Sequence, residues 1–160
     1  MVPEIKTSPE IVLIGQRQKM SFANDKTFLL WNGFMPRRNE IKNRIGTDLY
    51  SVQCYPEGFD FNPDTTFEKW AALIVDKAID IPAGMETLII PEGLYAVFLY
   101  KGKNTEAEPF FKYIYNEWLP KSGYELDNRP HFETLGSKYK NNDPDSEEDV
   151  WIPIKKRETL

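Results

Sequence analysis

The chain offers few residues suited to nucleophilic, acid–base or metal chemistry. Cys54 is the only cysteine and His131 is the only histidine among 160 residues. A single cysteine excludes an intrachain disulfide and a cysteine-rich zinc site, and no motif supports His131 as part of a Ser-His-Asp triad. We therefore expect Cys54 to act as a small buried apolar side chain. We expect His131 to be structural or incidental, with no catalytic residue assigned and no metal or cofactor bound.

Glu133 is the carboxyl group with the most distinctive setting. It alternates with His131 and Arg129 along a predicted strand at residues 129–135. The usual state of a strand glutamate is exposed and paired, in this case with Arg129. The alternative is a carboxylate that faces a pocket, where an unpaired charge is costly and an entering cation relieves the cost. The residues alone leave both interpretations open.

Aromatic side chains make up 14% of the sequence, with 4 Trp, 8 Tyr and 10 Phe. Core packing accounts for most of them. Tyr and Trp faces also attract organic cations, so a surplus could wall a ligand pocket. The candidates are aromatic residues on strands expected to border a central cleft: Trp70, Tyr95 and Trp151, with Tyr50 and Phe98 as weaker candidates. Plain core packing is the alternative for each of them.

Bulk charge and hydropathy narrow the classes of partner and compartment. The formal net charge is -5 and hydrophobic residues make up 41% of the chain. A net negative field repels phosphate backbones, so direct nucleic-acid binding is not expected, and it mildly favours cationic ligands. No apolar run approaches the roughly 20 residues that span a bilayer, and the N-terminus lacks an apolar signal segment. We expect a cytoplasmic protein without a membrane segment.

The chain repeats one order of elements: strand, helix, strand, strand. The first half, about 1–82, and the second, about 83–155, are separated by the Ile-Pro-Ala-Gly-Met hinge at residues 81–85 and followed by a polar tail at 156–160. Hydrophobic periodicity and turn residues carry the assignment. The predicted strands are residues 11–22, 48–55, 67–75, 87–90, 94–100, 129–135 and 150–154, and the predicted helices start at Asn24 or Asp25 and at Thr105.

These elements predict one α+β domain over residues 1–160. Tandem βαββ repeats related by pseudo-twofold symmetry would pack two main helices against antiparallel sheets. The two halves would meet across the axis and leave a central ligand cleft, because clefts at such junctions are common ligand sites. Trp31 and Trp118 lie on the expected apolar stripes of the two helices, which favours core packing for both.

Several segments, in a fixed order, resemble a known family. Residues 117–126 read Glu-Trp-Leu-Pro-Lys-Ser-Gly-Tyr-Glu-Leu, and residues 129–133 read Arg-Pro-His-Phe-Glu. Residues 143–154 follow with Asp-Pro-Asp-Ser-Glu-Glu-Asp-Val-Trp-Ile-Pro-Ile. Earlier come Ile-Pro-Ala-Gly at 81–84 and Ile-Pro-Glu-Gly-Leu-Tyr-Ala-Val-Phe at 90–98. The order resembles the effector-binding domains of AraC-type and multidrug-responsive regulators, and their gyrase-inhibitory-protein-like (GyrI-like) and integron-associated stand-alone relatives.

The resemblance implies a ligand and a residue that binds it. Members of this family bind bulky lipophilic compounds, often cations, with aromatic walls and a buried glutamate in the cleft between the halves. Its Phe-Glu step falls on Glu133. The family often has a tyrosine two residues later, where this chain has Leu135. The regulators also carry a helix-turn-helix module, for which this sequence has no room before Pro3 or after Lys155, so we expect a stand-alone domain with or without a separate DNA-binding protein partner.

Three functions remain open at this point. The first is binding of a lipophilic organic cation. The second, implied by the same resemblance, is hydrolysis of strained electrophilic toxins, with Glu133 as a base on water and Tyr95 or Tyr50 as the proton donor. The third is an interaction module that inhibits another protein. We favour the first and expect a monomer or a homodimer.

Overall fold

The computed structural model describes residues 1–158, in which the chain forms nine strands and two helical segments. The strands are β1 (Glu4–Ser8), β2 (Ile11–Met20), β3 (Leu49–Cys54), β4 (Phe67–Ile74), β5 (Glu86–Ile90), β6 (Gly93–Lys101), β7 (Tyr124–Leu126), β8 (His131–Leu135) and β9 (Glu147–Lys156). The first helical segment is α1 (Thr27–Phe34) and a 3₁₀ helix (Met35–Glu40). The second comprises α2 (Glu108–Tyr113), a π-helical turn (Ile114–Trp118) and α3 (Leu119–Lys121), after a 3₁₀ turn (Asn104–Glu106).

The strands form one antiparallel sheet in the order β1-β6-β9-β8-β3-β4-β2-β5, with β7 paired to β9. Equivalent strands occupy equivalent places when the order is read from its two ends: β1 with β5, β6 with β2, β9 with β4, and β8 with β3. The predicted α+β fold of tandem repeats with pseudo-twofold symmetry is therefore confirmed. The structure also shows that each half gives one strand to the other. Strand β1 pairs with β6 of the second half, and β5 pairs with β2 of the first.

The halves are joined at the centre of the sheet by β3 and β8. Their register pairs Gln53 with His131 and Ser51 with Glu133. Successive side chains of a strand point to opposite faces, while paired residues share a face. The pseudo-twofold axis therefore passes close to His131 and Glu133, which face the same side of the sheet.

Both helical segments cover one face of the sheet. On the first, Leu30 and Phe34 are buried against β2 and β4; on the second, Ile114 and Leu119 are buried against β6 and β9. Within residues 1–158 the opposite face carries no helix, and its apolar side chains are still buried. Burial without a covering helix requires a curved sheet whose own strands enclose this face. Its central members are Leu13, Val52, Trp70, Tyr95 and Phe132.

The buried stripe of α1 differs from the predicted one. The spacing predicts a stripe of Phe28, Trp31 and Met35 with Leu30 and Phe34 alongside. In the structure Leu30 and Phe34 are the buried residues, and Phe28 is 81% exposed. Trp31 and Met35 pack at the edge of the same core. The α-helical hydrogen bonding gives way to a 3₁₀ helix at Pro36, whose ring and missing N–H disfavour a further α-helical turn.

Other helix and strand boundaries also differ from the predicted ones. Strands β1 and β7 were not predicted, and the second helical segment continues past Leu119 to Lys121 because Pro120 stands at the first turn of α3, where no N–H is needed. The expected polar tail at 156–160 overlaps β9, which ends at Lys156, and residues 159–160 lie outside the described part of the chain. Within residues 1–158, no helix is long and apolar enough to cross a membrane.

Candidate ligand-binding site

A cavity of about 920 Å³ lies between the two helical segments, above the four central strands. This volume suits a drug-sized molecule. Polar side chains from the central strands form its floor: Gln53, Lys69, His131 and Glu133. Aromatic side chains form much of its walls: Phe22, Tyr55, Phe61, Phe67, Phe111 and Tyr115.

The floor residues are held in rows by strand register. Lys69 on β4 pairs with Gln53 on β3, and Gln53 pairs with His131 on β8, so these three share one row on the helix-covered face. Glu133 occupies the next row, between Ser51 and Val150. Because regular sheet pairing places all of these residues, their spacing does not depend on a mobile loop.

Glu133 is a carboxylate without a protein counter-ion. Its Oε2 atom is inaccessible to solvent and has no hydrogen-bond partner among the described residues. Burial raises the pKa of Glu133, and the nearby Lys69 ammonium and Gln53 amide partly oppose that rise. An unpaired buried carboxylate is costly, so a cation or a donor that enters the cavity gains by satisfying it.

Arg129 is not the partner of Glu133 that the exposed-pair interpretation requires. Its Nε donates to Asp127 Oδ2 at 2.7 Å, and Nη2 donates to the carbonyl oxygens of Leu94 and Ile154. The guanidinium also lies 4.6 Å from the centre of the Tyr95 ring. Arg129 precedes β8, which begins at His131, so the alternation expected from residue 129 onward does not extend to it.

His131 lies in the cavity lining, packed between the second helical segment and Tyr55. Burial lowers the pKa of His131 to about 3, with the positive charge of Arg129 adding to the effect. The Tyr115 hydroxyl lies 3.3 Å from His131 Nδ1, and the Tyr55 ring meets the imidazole edge-on at 4.8 Å. Burial strongly raises the pKa of Tyr115, so its hydroxyl remains protonated and can donate to Nδ1 of the neutral imidazole tautomer whose proton is on Nε2.

Two members of the aromatic wall, Phe61 and Tyr115, lie outside the strands predicted from sequence. Phe61 lies in the loop between β3 and β4, with its ring 5.2 Å from Tyr55 and 5.1 Å from Tyr115. Phe61 has a positive φ of 57°, a backbone conformation that side chains rarely adopt. Tyr115 lies in the π-helical turn, a deformation often found at functional sites. The contact between Tyr115 and Phe61 packs the second helical segment against the loop between β3 and β4.

Four of the five aromatic residues predicted from sequence belong to the core on the helix-free face, and Phe98 belongs to the core beneath the second helical segment. Tyr50, Trp70, Tyr95 and Phe98 lie outside the cavity lining, and only Trp151 is part of it. The Trp151 ring stacks on Phe132 at 5.1 Å and meets Tyr95 at 5.8 Å. The cause is side-chain alternation. Trp70 and Trp151 follow Lys69 and Val150, which face the helices, so both indoles point to the opposite face.

The remaining candidates have packing or hydrogen-bonding roles. Phe98 is buried beneath the second helical segment, where its ring meets Trp118 edge-on at 5.2 Å. Tyr95 donates its hydroxyl to the carbonyl oxygen of Pro130. Cys54 packs beside the helix-free core, and burial raises the pKa of its thiol to about 11, which disfavours the reactive thiolate.

Metal binding has no evident donor set in residues 1–158, because no three His, Cys, Asp or Glu side chains there are grouped so as to hold an ion. The cavity combines an unsatisfied carboxylate, an ammonium group and aromatic faces. Such a set can select an organic molecule by charge and by shape.

Residues 1–155 match the model of the GyrI-like family, described as a GyrI-like small molecule binding domain. The chain belongs to this family. Membership confirms the resemblance seen in the motifs of the second half and extends it to the first half, which had matched in pattern only. Small-molecule binding is thus the general activity of the domain.

A curated relative is the transcriptional regulator BrlR of Pseudomonas aeruginosa, 28% identical over 155 residues, or 96% of this chain. The chain spans about half of that regulator, 56% of its length. Among solved structures, SAV2435 bound to tetraphenylphosphonium has a TM-score of 0.71 at 14% identity, over 97% of this chain and 94% of that one. A hydrolase from Listeria innocua has a TM-score of 0.59 at 14% identity, and the match covers 96% of this chain and 92% of that one. The two structures share the fold.

Proposed function

We propose that this GyrI-like domain binds lipophilic organic cations in the cavity between its helical segments, with Glu133 as the charge-selecting residue. The observation that carries the proposal is the solvent-inaccessible Oε2 of Glu133 at the floor of an aromatic-walled cavity, an atom with no hydrogen-bond partner in residues 1–158. A cation in that position would relieve the cost of the buried charge. Surrounding aromatic faces would add cation–π attraction.

The size of the cavity and a structural neighbour support this choice of ligand. About 920 Å³ is ample for a molecule with several aromatic rings. SAV2435, which shares the fold, was solved with the bulky cation tetraphenylphosphonium bound. The negative formal charge of the chain, -5, adds a weak long-range attraction for cations. By analogy with BrlR, binding would serve to regulate a DNA-binding protein.

Tetraphenylphosphonium and the neutral triphenylphosphine oxide are the probes for a calorimetric test. The wild-type protein should bind the cation at least about tenfold more tightly than the neutral compound, the effect of one charge-assisted contact. Glu133→Gln keeps the shape and removes the charge, so it should abolish that preference. Glu92→Gln, at an exposed turn, is the matched control and should bind as wild type. Equal affinity of the wild type for both probes, or an unchanged Glu133→Gln, would refute the proposal.

A second candidate is hydrolysis of a strained electrophile in the same cavity. The observation in its favour is that Glu133, with its raised pKa, and the protonated Tyr115 hydroxyl line the same cavity. Tyr95 and Tyr50, the donors first considered, lie outside the lining, so Tyr115 would take that role. Glu133 would accept a proton from water, whose oxygen attacks the ring carbon, while Tyr115 protonates the opened ring. Turnover of a cyclopropane electrophile that disappears in both Glu133→Gln and Tyr115→Phe would establish it.

A further inference from the structure

We propose that Lys69 is a second charged recognition group of this cavity, and that its preferred ligands are zwitterions that carry an anionic group beside the cationic centre. The inference rests on the proposed cation site at Glu133 and adds the chemical class of the other end of the ligand. A simple organic cation would pair with Glu133 and leave the ammonium group of Lys69 without a ligand partner.

Lys69 places an ammonium group in the cavity without a direct ion pair. Its Nζ donates to Thr27 Oγ1 at 3.0 Å, and no salt bridge joins it to a carboxylate among the described residues. An ammonium group has three donors, so two remain for a ligand. Glu133 is likewise without a direct ion pair in the described part of the chain, so the two opposite charges of the floor lie apart.

The start of α1 holds the ammonium away from Glu133. The Thr27 hydroxyl donates to Asp25 Oδ1 at 2.6 Å, so its oxygen is left to accept from Lys69. The Thr27 N–H donates to the same Asp25 oxygen at 2.8 Å and fixes the threonine in place. This chain of hydrogen bonds anchors Lys69 at the first-half side of the cavity.

The sheet separates the two charges further. Lys69 lies on β4 and Glu133 on β8, with β3 between them, so their backbones are two strand spacings, roughly 10 Å, apart across the sheet. Lys69 is still close enough for its charge to lower the pKa of Glu133. A ligand with one positive charge is therefore attracted by Glu133 and repelled by Lys69. A ligand with opposite charges at its two ends is attracted by both residues.

Two phosphonium probes of nearly equal size separate these cases: pentyltriphenylphosphonium, a cation, and (4-carboxybutyl)triphenylphosphonium, a zwitterion at pH 7.5. Calorimetry should find the zwitterion bound about tenfold more tightly by the wild type, the gain expected of one charge-assisted hydrogen bond. In Lys69→Met the zwitterion should lose about tenfold, while the cation should bind as tightly as before or more tightly, because a like charge has gone.

Further variants separate charge from packing. Lys69→Arg keeps the charge and should retain most of the preference for the zwitterion. Lys101→Met, at the exposed end of β6 outside the cavity lining, removes the same charge elsewhere and should behave as wild type. Thr27→Val keeps Lys69 and removes its acceptor, so it should reduce the preference without abolishing it. It also serves if Lys69→Met fails to fold.

The outcomes distinguish this inference from the function on which it rests. If the wild type binds the cation but gains nothing from the carboxylate, or if Lys69→Met weakens both probes equally, Lys69 is not a recognition group and the inference fails alone. If neither probe binds to the wild type, the cation site is itself wrong and both proposals fall.

Discussion

Glu133 and Glu148 lie on neighbouring antiparallel strands with their side chains on the same face of the sheet. Glu133 pairs with Val150, and Glu148 stands two residues before Val150 on β9. Burial raises the pKa of Glu148 to about 7, the negative charge of Glu133 adds to the rise, and Lys69 opposes it. Two partly buried carboxyl groups thus compete for the attraction of one ammonium.

Glu148→Gln is expected to stabilise the protein at pH 8 and to have little effect at pH 4. Between the usual pKa of 4.5 and the folded value of about 7, the folded state keeps a proton that the unfolded state has lost. Stability of the wild type therefore falls as pH rises through this window. At about 1.4 kcal/mol per pKa unit, the variant should gain up to about 3 kcal/mol above it. Urea unfolding at both pH values is the measurement, and an equal gain at both would contradict the explanation.

Binding of tetraphenylphosphonium is expected to weaken as pH falls through the raised pKa of Glu133. The pKa of Glu133 is raised by burial, so protonation removes the attracting charge at a higher pH than for an ordinary glutamate. The cation and the proton then compete for one carboxylate, and binding should release protons near the pKa. Calorimetry in buffers of different ionisation enthalpy measures that release. Glu133→Gln should show a weak affinity that varies little with pH, and a strong remaining dependence would place the titrating group elsewhere.

His131 is expected to stay neutral from pH 8 to pH 5, with its proton on Nε2. Burial lowers its pKa to about 3, and the Tyr115 hydroxyl occupies Nδ1. Because the chain has a single histidine, ¹⁵N chemical shifts report it without overlap. Tyr115→Phe should cost about 1 kcal/mol of stability and let the tautomers mix. Appearance of an imidazolium signal at pH 6 in the wild type would be the contrary result.

Phe61→Ala is expected to weaken binding of an aromatic cation, while Trp70→Phe leaves it nearly unchanged. Phe61 forms part of the cavity wall and contacts Tyr115, whereas Trp70 lies on the opposite face of the sheet. Loss of one aromatic face should reduce affinity by roughly tenfold, from cation–π and apolar contacts together. Trp70→Phe should instead lower the free energy of unfolding by about 1 to 3 kcal/mol. The reverse pattern would restore the sequence-based assignment of Trp70 to the wall.

The sequence was informative about order and type of element. Alternating and helical periodicity located seven strands and both helical segments, because those patterns follow from the local geometry of a chain against a core. Strand β1 was not predicted because four of its five residues, Glu4 to Thr7, are exposed and show no buried face. It is a strand because it pairs with β6. Strand β6 lies in the other half, and a local sequence pattern contains no information about such a distant pairing.

The site was only partly predictable, for a related reason. Glu133 was found through a motif, and the structure places it at the cavity floor. Three aromatic candidates, Tyr50, Trp70 and Tyr95, lie on the other face of the sheet, because cross-strand register decides which face a residue shares with another strand and a one-residue shift reverses the face. Phe61 and Tyr115 lie in a loop and a helix. The signal that could have found Tyr115 is its spacing of four residues from Phe111, which puts both on one helix face.

Strands β1 and β5 each complete the part of the sheet that belongs to the opposite half. The arrangement is that of a domain-swapped dimer whose two subunits have been joined end to end. One half alone would have an outer strand without its pairing partner and a sheet edge without the strand that covers it. We therefore expect the halves to fold as one cooperative unit, and we expect the cavity between them not to open by a simple parting of the two repeats.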